Sequence, residues 1–274
     1  MKNFIDVIRT TRRLTPVLVC GAARSGTRMA TDLLNLHQNV AIQNEMHGET
    51  FSAFLELVKT VDTTFAKHSE RKGKTLGKAW RKSRAELAHV FLATAGKRPP
   101  IGQGKEILYH GIKTPGYERF FRDFQALFPD SEAYVVYCLR AVDKVWRSWC
   151  SLGYVDDVEL FRMRYERSLR HAIAIKKRIG ERFVLFDLDD FAAAEDQADW
   201  VMKRLYAPLG LPPSEEHISR IAETPNRNAL LRTGKEAVEG EKIEAEMAML
   251  RSNERIREHR VTLGASPEPV RRRT

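Results

Sequence analysis

A short apolar run, a turn of small residues and an amphipathic stretch follow one another near the start of this sequence. The run Val17–Cys20 is typical of a buried strand and ends at Gly21. From Ser25 onward, apolar residues recur at helical spacing: Met29, Leu33, Leu34 and Leu36. Strand, tight turn and helix make up the first half of a βαβ unit, which limits the chain to folds built on a parallel sheet.

The rest of the chain repeats this alternation of short strands with longer helices. We predict further strands at 40–43, 107–112, 134–139 and 183–186, and helices at 50–59, 117–128, 143–152, 157–179, 194–209 and 236–260. The pattern predicts an α/β three-layer sandwich with a central parallel sheet. We expect one domain over residues 1–264, with a basic helical insertion at 67–98 and a disordered tail at 265–274. Ligands of such sheets bind where the strands end.

The turn after the first strand is suited to binding an anion. Small residues between Gly21 and Arg28 allow the backbone to fold around a phosphate, and the helix that follows offers unpaired N–H groups. An ordinary helix start with Ser25 as N-cap explains the same residues. Gly21 and Gly26 have the spacing of a Walker A loop, but Thr27 replaces its lysine, which argues against ATP hydrolysis.

A second candidate segment follows the strand at 134–139. Arg140 comes directly after this strand, and Ser148 lies eight residues later on the next helix. An arginine at a strand end offers a planar fork for a phosphate, and the serine adds a hydroxyl. Each residue alone is more simply interpreted as part of an ordinary surface.

Together, PVLVCGAARSGTRMATDLL and YVVYCLRAVDKVWRSWCSL resemble the two nucleotide-binding segments of sulfotransferases that use 3′-phosphoadenosine 5′-phosphosulfate (PAPS). The resemblance covers about residues 14–210, is to sulfotransferases of the bacterial type, and implies a P-loop NTPase-like fold. The sequence departs from the family at Val142, where proline is usual, and this departure concerns the geometry of the turn after Arg140. The resemblance implies that the 5′-phosphosulfate is bound by Arg24, Ser25, Gly26, Thr27 and Arg28, and the 3′-phosphate by Arg140, Ser148 and Arg232.

The catalytic groups are also assigned by resemblance. Lys113, Thr114 and Pro115 resemble the Lys-Thr-Pro of many bacterial members, in which proline replaces a catalytic histidine. This resemblance implies that Lys113 approaches the bridging oxygen of the leaving group and that Arg24 assists catalysis. Glu45 resembles the glutamate base of another branch, with His47 as the reserve, although a surface carboxylate explains Glu45 equally simply. His110 lies in an apolar strand and is interpreted as a hydrogen-bonded core residue.

Composition limits the partners without choosing among them. The net charge of +10 favours an anionic partner, and eight Lys or Arg residues lie between Lys67 and Arg84. They form either a solvated face or a lid over an acidic acceptor. We expect no nucleic acid partner, because no reading module is recognisable. Three scattered cysteines form no zinc motif, residues 1–21 lack the long apolar core typical of a signal peptide, and no stretch is apolar enough to span a bilayer. We therefore expect no metal, no transmembrane segment and a cytoplasmic protein.

The reaction expected from the resemblance is transfer of a sulfuryl group from PAPS to an acceptor hydroxyl, with release of 3′-phosphoadenosine 5′-phosphate (PAP). The acceptor is expected to be a carbohydrate, lipid or other small molecule. Two alternatives remain open: a degenerate P-loop kinase or NTPase, and a non-catalytic protein that binds PAP or another nucleotide. The sequence decides neither the acceptor nor the oligomeric state.

Overall fold

A parallel sheet forms the centre of the computed structural model, which describes residues 14–46, 48–72, 75–95, 107–128, 132–154, 157–212, 219, 221 and 240–265. Its five strands run in the order β2-β3-β1-β4-β5, and every neighbouring pair is parallel. Their bounds are β1 Thr15–Gly21, β2 Val40–Gln43, β3 Tyr109–Lys113, β4 Tyr134–Leu139 and β5 Phe183–Asp187. The order places β1 between β3 and β4, so the chain reverses its direction of winding at β1, where ligands of such sheets bind.

Helices cover both faces of the sheet. In chain order they are α1 Thr27–Leu34, α2 Gly48–Lys72, α3 Thr75–Ala95, α4 Phe121–Ala126, α5 Val142–Cys150, α6 Val158–Ile179, α7 Leu188–Ala193, α8 Gln197–Val201, α9 Glu241–Ser252 and α10 Glu254–Leu263. Alternate β1 residues enter different cores, Leu18 with α2 and α6, and Val19 with α1. This two-sided burial explains the unbroken apolar run of β1 and confirms the predicted three-layer α/β sandwich.

Two predicted helices are interrupted in the structure. The helix expected at 236–260 is two helices, because Asn253 has an extended backbone and its side chain accepts a hydrogen bond from the Ile256 amide, capping α10. The helix expected at 194–209 is α8, followed by a π-helical turn at Met202–Tyr206 and a short 3₁₀ turn. By contrast α6, which begins after the N-cap Asp157, fits its predicted bounds.

Helices α2 and α3 form an antiparallel pair that includes most of the segment predicted as a basic insertion. Helix α2 starts at Gly48, and the rings of Phe54 and Phe91 stack 3.9 Å apart where α2 meets α3. Nearer the tip, Arg84 forms an ion pair with Asp62 at 2.7 Å. Most of the basic side chains predicted to form a solvated face or a lid lie outside the described residues, so their role stays a prediction.

Candidate active site

The loop between β1 and α1 has the backbone of an anion cradle. Gly26 precedes α1 in a left-handed conformation, with φ of 100°, and no side chain caps the helix. A Cβ on Gly26 would lie 3.1 Å from Leu188 Cδ2, so both backbone and space favour glycine here. Ser25 is therefore not the N-cap, and the alternative of an ordinary capped helix is wrong. The first amides of α1 are left for another acceptor.

Ser25 contributes a buried hydroxyl to this loop. Its side chain is only 1% exposed, and its Oγ has no hydrogen-bond partner among the described residues. A buried polar atom without a partner costs free energy, so such atoms are rare in folded proteins. An anionic oxygen seated in the loop would supply the missing acceptor. Thr27, also buried, starts α1 beside it.

The loop touches the second predicted segment directly. Arg24 Nε donates to Ser148 Oγ at 2.8 Å, and Trp149 Nε1 donates to the Ala23 carbonyl at 2.8 Å. Arg140 Nη1 reaches the Arg24 carbonyl at 3.4 Å. The structure thus brings Arg24 to Arg140 and Ser148, although more than one hundred residues separate it from each of them. Trp149 was missed, because a tryptophan on an amphipathic helix resembles any core residue.

Positive charge is concentrated at this junction. Arg140 follows β4 directly and is partly buried, and its Nε has no hydrogen-bond partner in the described part of the chain. Burial lowers the pKa of the Arg140 guanidinium. The negative charge of Asp189 raises this pKa, and the positive charge of Arg24 lowers it further. The guanidinium remains charged near neutrality. Two arginines that repel one another across a loop form a site that an anion would stabilise.

Backbone strain is also stored in the loop. Among the described residues other than glycine, Arg24 is the one with a positive φ, at 74°. A side chain in the left-handed region costs about 1 kcal/mol or more and persists only where the surroundings enforce it. The hydrogen bond from Arg24 to Ser148 is one such constraint.

Two of the three predicted catalytic groups meet at adjoining strand ends. Lys113 ends β3, Glu45 follows β2, and these strands are neighbours in the sheet. Lys113 Nζ lies 2.5 Å from Glu45 Oε1; the lysine side chain is 5% exposed and the glutamate side chain 59%. Glu45 therefore faces solvent while its carboxylate is paired with a buried ammonium. The lysine is held beside β1, since it pairs with Val19.

Other predicted site residues are placed differently. Arg28 Nε pairs with Asp32 at 3.1 Å along α1, so its side chain is engaged within the helix. Arg232 and His47 lie outside the described residues. His110 is fully buried and its Nδ1 lies 3.2 Å from His89 Nδ1, which confirms its interpretation as a core residue.

The buried carboxyl group of Glu118 lies beneath the loop. It was not identified from the sequence. Glu118 is 4% exposed and accepts a hydrogen bond from Ser168 Oγ at 2.6 Å, and Ser168 in turn contacts the Tyr137 hydroxyl. Burial raises the pKa of Glu118, while the bond from Ser168 opposes that rise. A glutamate in the amphipathic segment 117–128 gives no sequence signal of burial, because its burial depends on tertiary packing against β1 and α6.

Within the described ranges, no group of three or more His, Cys, Asp or Glu side chains could hold a metal ion. None of the helices in those ranges combines the length and apolarity needed to cross a membrane. Cys20 and Cys138 are buried free thiols, and burial raises the pKa of each.

Comparisons with known proteins agree with this architecture. A model of the "Sulfotransferase family" matches residues 16–216. Among solved structures, the sulfotransferase domain of the Synechococcus PCC 7002 olefin synthase has a TM-score of 0.54 at 16% identity, covering 93% of this chain and 96% of that one. Sulfotransferase STF9 from Mycobacterium avium has a TM-score of 0.46 at 14% identity, covering 90% and 79%. At this identity the olefin synthase domain supports the fold alone. A search of curated protein sequences finds no match.

Proposed function

Because the chain belongs to the sulfotransferase family, we propose that it transfers a sulfuryl group from PAPS to an acceptor hydroxyl and releases PAP. One observation carries the choice of donor: in the loop after β1, the Arg24 side chain donates to Ser148 and the Arg24 carbonyl accepts from Arg140. A nucleotide with phosphates at both its 5′ and 3′ positions would match two adjacent groups of cationic and hydroxyl donors.

In this proposal the loop binds the 5′ end of the donor. The peptide amides at the start of α1 and the buried Ser25 hydroxyl donate to phosphosulfate oxygens, and Arg24 adds charge. Arg140 and Ser148 bind the 3′-phosphate. Donor binding would also give the unpartnered Ser25 Oγ and Arg140 Nε the acceptors they otherwise lack.

Glu45 and Lys113 are the proposed catalytic pair. The acceptor oxygen attacks sulfur while its proton passes to the Glu45 carboxylate, and the bond between sulfur and the bridging oxygen breaks. The electron pair of that bond stays on the phosphate of PAP, where the buried Lys113 ammonium stabilises the developing charge. The ion pair between Glu45 and Lys113 fixes both groups at one edge of the sheet before substrate arrives.

The acceptor is proposed to be a carbohydrate, lipid or other small molecule. Glu45 is exposed and lies three residues before Gly48, where α2 begins, so the acceptor would enter between this loop and the insertion. We also propose a cytoplasmic location, because a reducing compartment keeps the free thiols reduced.

Titration calorimetry with PAP tests the donor. The wild-type chain should bind PAP, and Arg140→Ala should weaken binding about tenfold to a hundredfold, since a charge-assisted hydrogen bond contributes about 1.5–3 kcal/mol. Arg164→Ala is the matched control, because this exposed arginine of α6 carries the same charge without contacting the site. Equal affinities of the two variants would contradict the proposed role of Arg140.

Turnover with labelled PAPS across carbohydrate, lipid and phenol acceptors tests the reaction. Transfer of label to one class, without added Mg²⁺, is the expected result. PAP binding without transfer to any acceptor would favour a non-catalytic binding protein. Mg²⁺-dependent ATP turnover that PAP does not inhibit would favour a nucleoside triphosphatase.

A further inference from the structure

Two C-terminal helices lie beyond the region that the family model matches. The match ends at residue 216, whereas α9 and α10 occupy residues 241–263. Helix α9 packs on α5, and α10 packs on α6. These two helices therefore lie against the element that carries Ser148 and against the helix beside it.

Arg260 on α10 is buried next to the end of β4, which directly precedes Arg140. Its side chain is 5% exposed, its Nη1 donates to the Arg140 carbonyl at 2.7 Å, and its Nη2 lies 3.6 Å from Asp187 at the end of β5. Burying a guanidinium is unfavourable unless its charge is paired and its donors are used. Arg260 therefore bridges the ends of β4 and β5 from the C-terminal part of the chain.

The Arg140 carbonyl receives two donors. Besides Arg260, the Tyr165 hydroxyl donates to it at 2.6 Å. The Arg140 side chain itself is weakly held, by one long bond to the Arg24 carbonyl and with no described partner for Nε. The backbone of Arg140 is thus held more firmly than its side chain, and Arg260 supplies one of the two hydrogen bonds that hold it.

Helix α9 holds α5 through three side-chain contacts. Trp146 Nε1 donates to Glu246 at 3.1 Å. The other two contacts are ion pairs, between Arg147 and Glu244 at 2.5 Å and between Arg251 and Asp143 at 3.0 Å. The helix that presents Ser148 is therefore fixed from outside by the C-terminal pair, as Arg140 is fixed by Arg260.

We propose that Arg260 is a positioning residue for recognition of the nucleotide 3′-phosphate. By holding the Arg140 carbonyl, it aims the Arg140 guanidinium at the position where that phosphate binds next to Ser148. This inference rests on the proposed PAPS-dependent function. Arg260 acts through Arg140 and does not touch the donor, so its loss should affect ligands that carry a 3′-phosphate and spare those that lack it.

The test compares affinities for PAP and for 5′-AMP, which lacks the 3′-phosphate, in the full-length chain. The wild type should prefer PAP. In Arg260→Gln the ratio of the two affinities should fall about tenfold, while affinity for 5′-AMP stays within about twofold, as expected for one misaligned charge-assisted contact. Arg260→Lys retains the charge near Asp187 but not the planar fork, so it should restore part of the ratio.

Lys176→Met is the matched control. Lys176 Nζ donates to the carbonyls of Thr262 and Leu263, so it anchors the same helix, α10, without contacting Arg140. This variant should lose stability in urea unfolding but keep the wild-type affinity ratio. If Arg260→Gln does not fold cooperatively, the ratio in Arg260→Lys, expected to lie below that of the wild type, decides the matter.

The outcomes separate this inference from the proposed function. A wild-type chain that binds PAP no better than 5′-AMP overturns both. A wild-type chain that prefers PAP while Arg260→Gln keeps the full preference overturns the role of Arg260 alone. The same holds if both affinities fall together, or if Lys176→Met changes the ratio as much as Arg260→Gln.

Discussion

Arg24 links the two halves of the candidate site, because its side chain reaches Ser148 while its backbone belongs to the loop. Arg24→Ala removes a charge at the proposed 5′ site and the bond to Ser148. We expect PAP affinity to fall about tenfold to a hundredfold in calorimetry, with Arg24→Lys retaining part of it. Normal PAP affinity in Arg24→Ala would contradict the assignment of the loop.

Glu45 provides a test of chemistry separate from binding. Glu45→Gln keeps the size of the side chain but removes the proposed base. The rate of sulfuryl transfer at saturating substrate should fall about 100-fold or more, while PAP affinity should change little. Glu56→Gln on α2 is the control, because Glu56 is exposed and contacts Lys59 instead of the site. An unchanged transfer rate in Glu45→Gln would mean that another group is the base.

At the scale of elements, the close approach of β1 and β3 constrains the sheet at Gly111. A Cβ on Gly111 would lie 1.7 Å from the Val17 carbonyl oxygen, and both atoms belong to central strands that cannot separate cheaply. Gly111→Ala should therefore lower the free energy of unfolding by about 3 kcal/mol or more, or prevent folding. Urea unfolding measures this effect. Gly48→Ala is the control and should change the free energy of unfolding by less than about 1 kcal/mol, because its Cβ would meet only the Tyr117 hydroxyl at 3.9 Å. An equal loss of stability in both variants would contradict the expected clash at Gly111.

The elements also show how far sequence reasoning reaches. The strands and α6 are predictable because two-sided burial and helical periodicity leave local patterns in the sequence. The meeting of Glu45 with Lys113 depends on β2 lying beside β3, a pairing between distant segments that no local pattern specifies. Arg260 was missed for a related reason: a basic residue in a charged helix resembles a surface residue until tertiary packing buries it.

At the scale of the whole molecule, a buried histidine pair makes stability depend on pH. His89 of α3 and His110 of β3 contact one another, and burial lowers the pKa of His89 to about 4 and that of His110 to about 3. In the unfolded chain both titrate near pH 6.5. As pH falls below about 6.5, these two imidazoles become protonated in the unfolded chain but stay neutral in the folded chain. The free energy of unfolding should therefore fall by a few kcal/mol by about pH 4.

Urea unfolding between pH 7 and 4 measures this dependence. His89→Phe should flatten part of it, because one of the two buried imidazoles is removed. His259→Asn on α10, with no contact to the pair, should retain the wild-type slope. Equal slopes in the wild type and in His89→Phe would show that the pair does not control acid stability.

A crystal structure of the chain with PAP would show directly whether the two proposed phosphate sites bind one nucleotide. We expect the 5′-phosphate against the first amides of α1 and Ser25, and the 3′-phosphate within hydrogen-bond distance, about 3 Å, of Arg140 and Ser148. PAP bound elsewhere, or bound with the Arg140 and Ser148 side chains directed away from it, would contradict the proposed donor site.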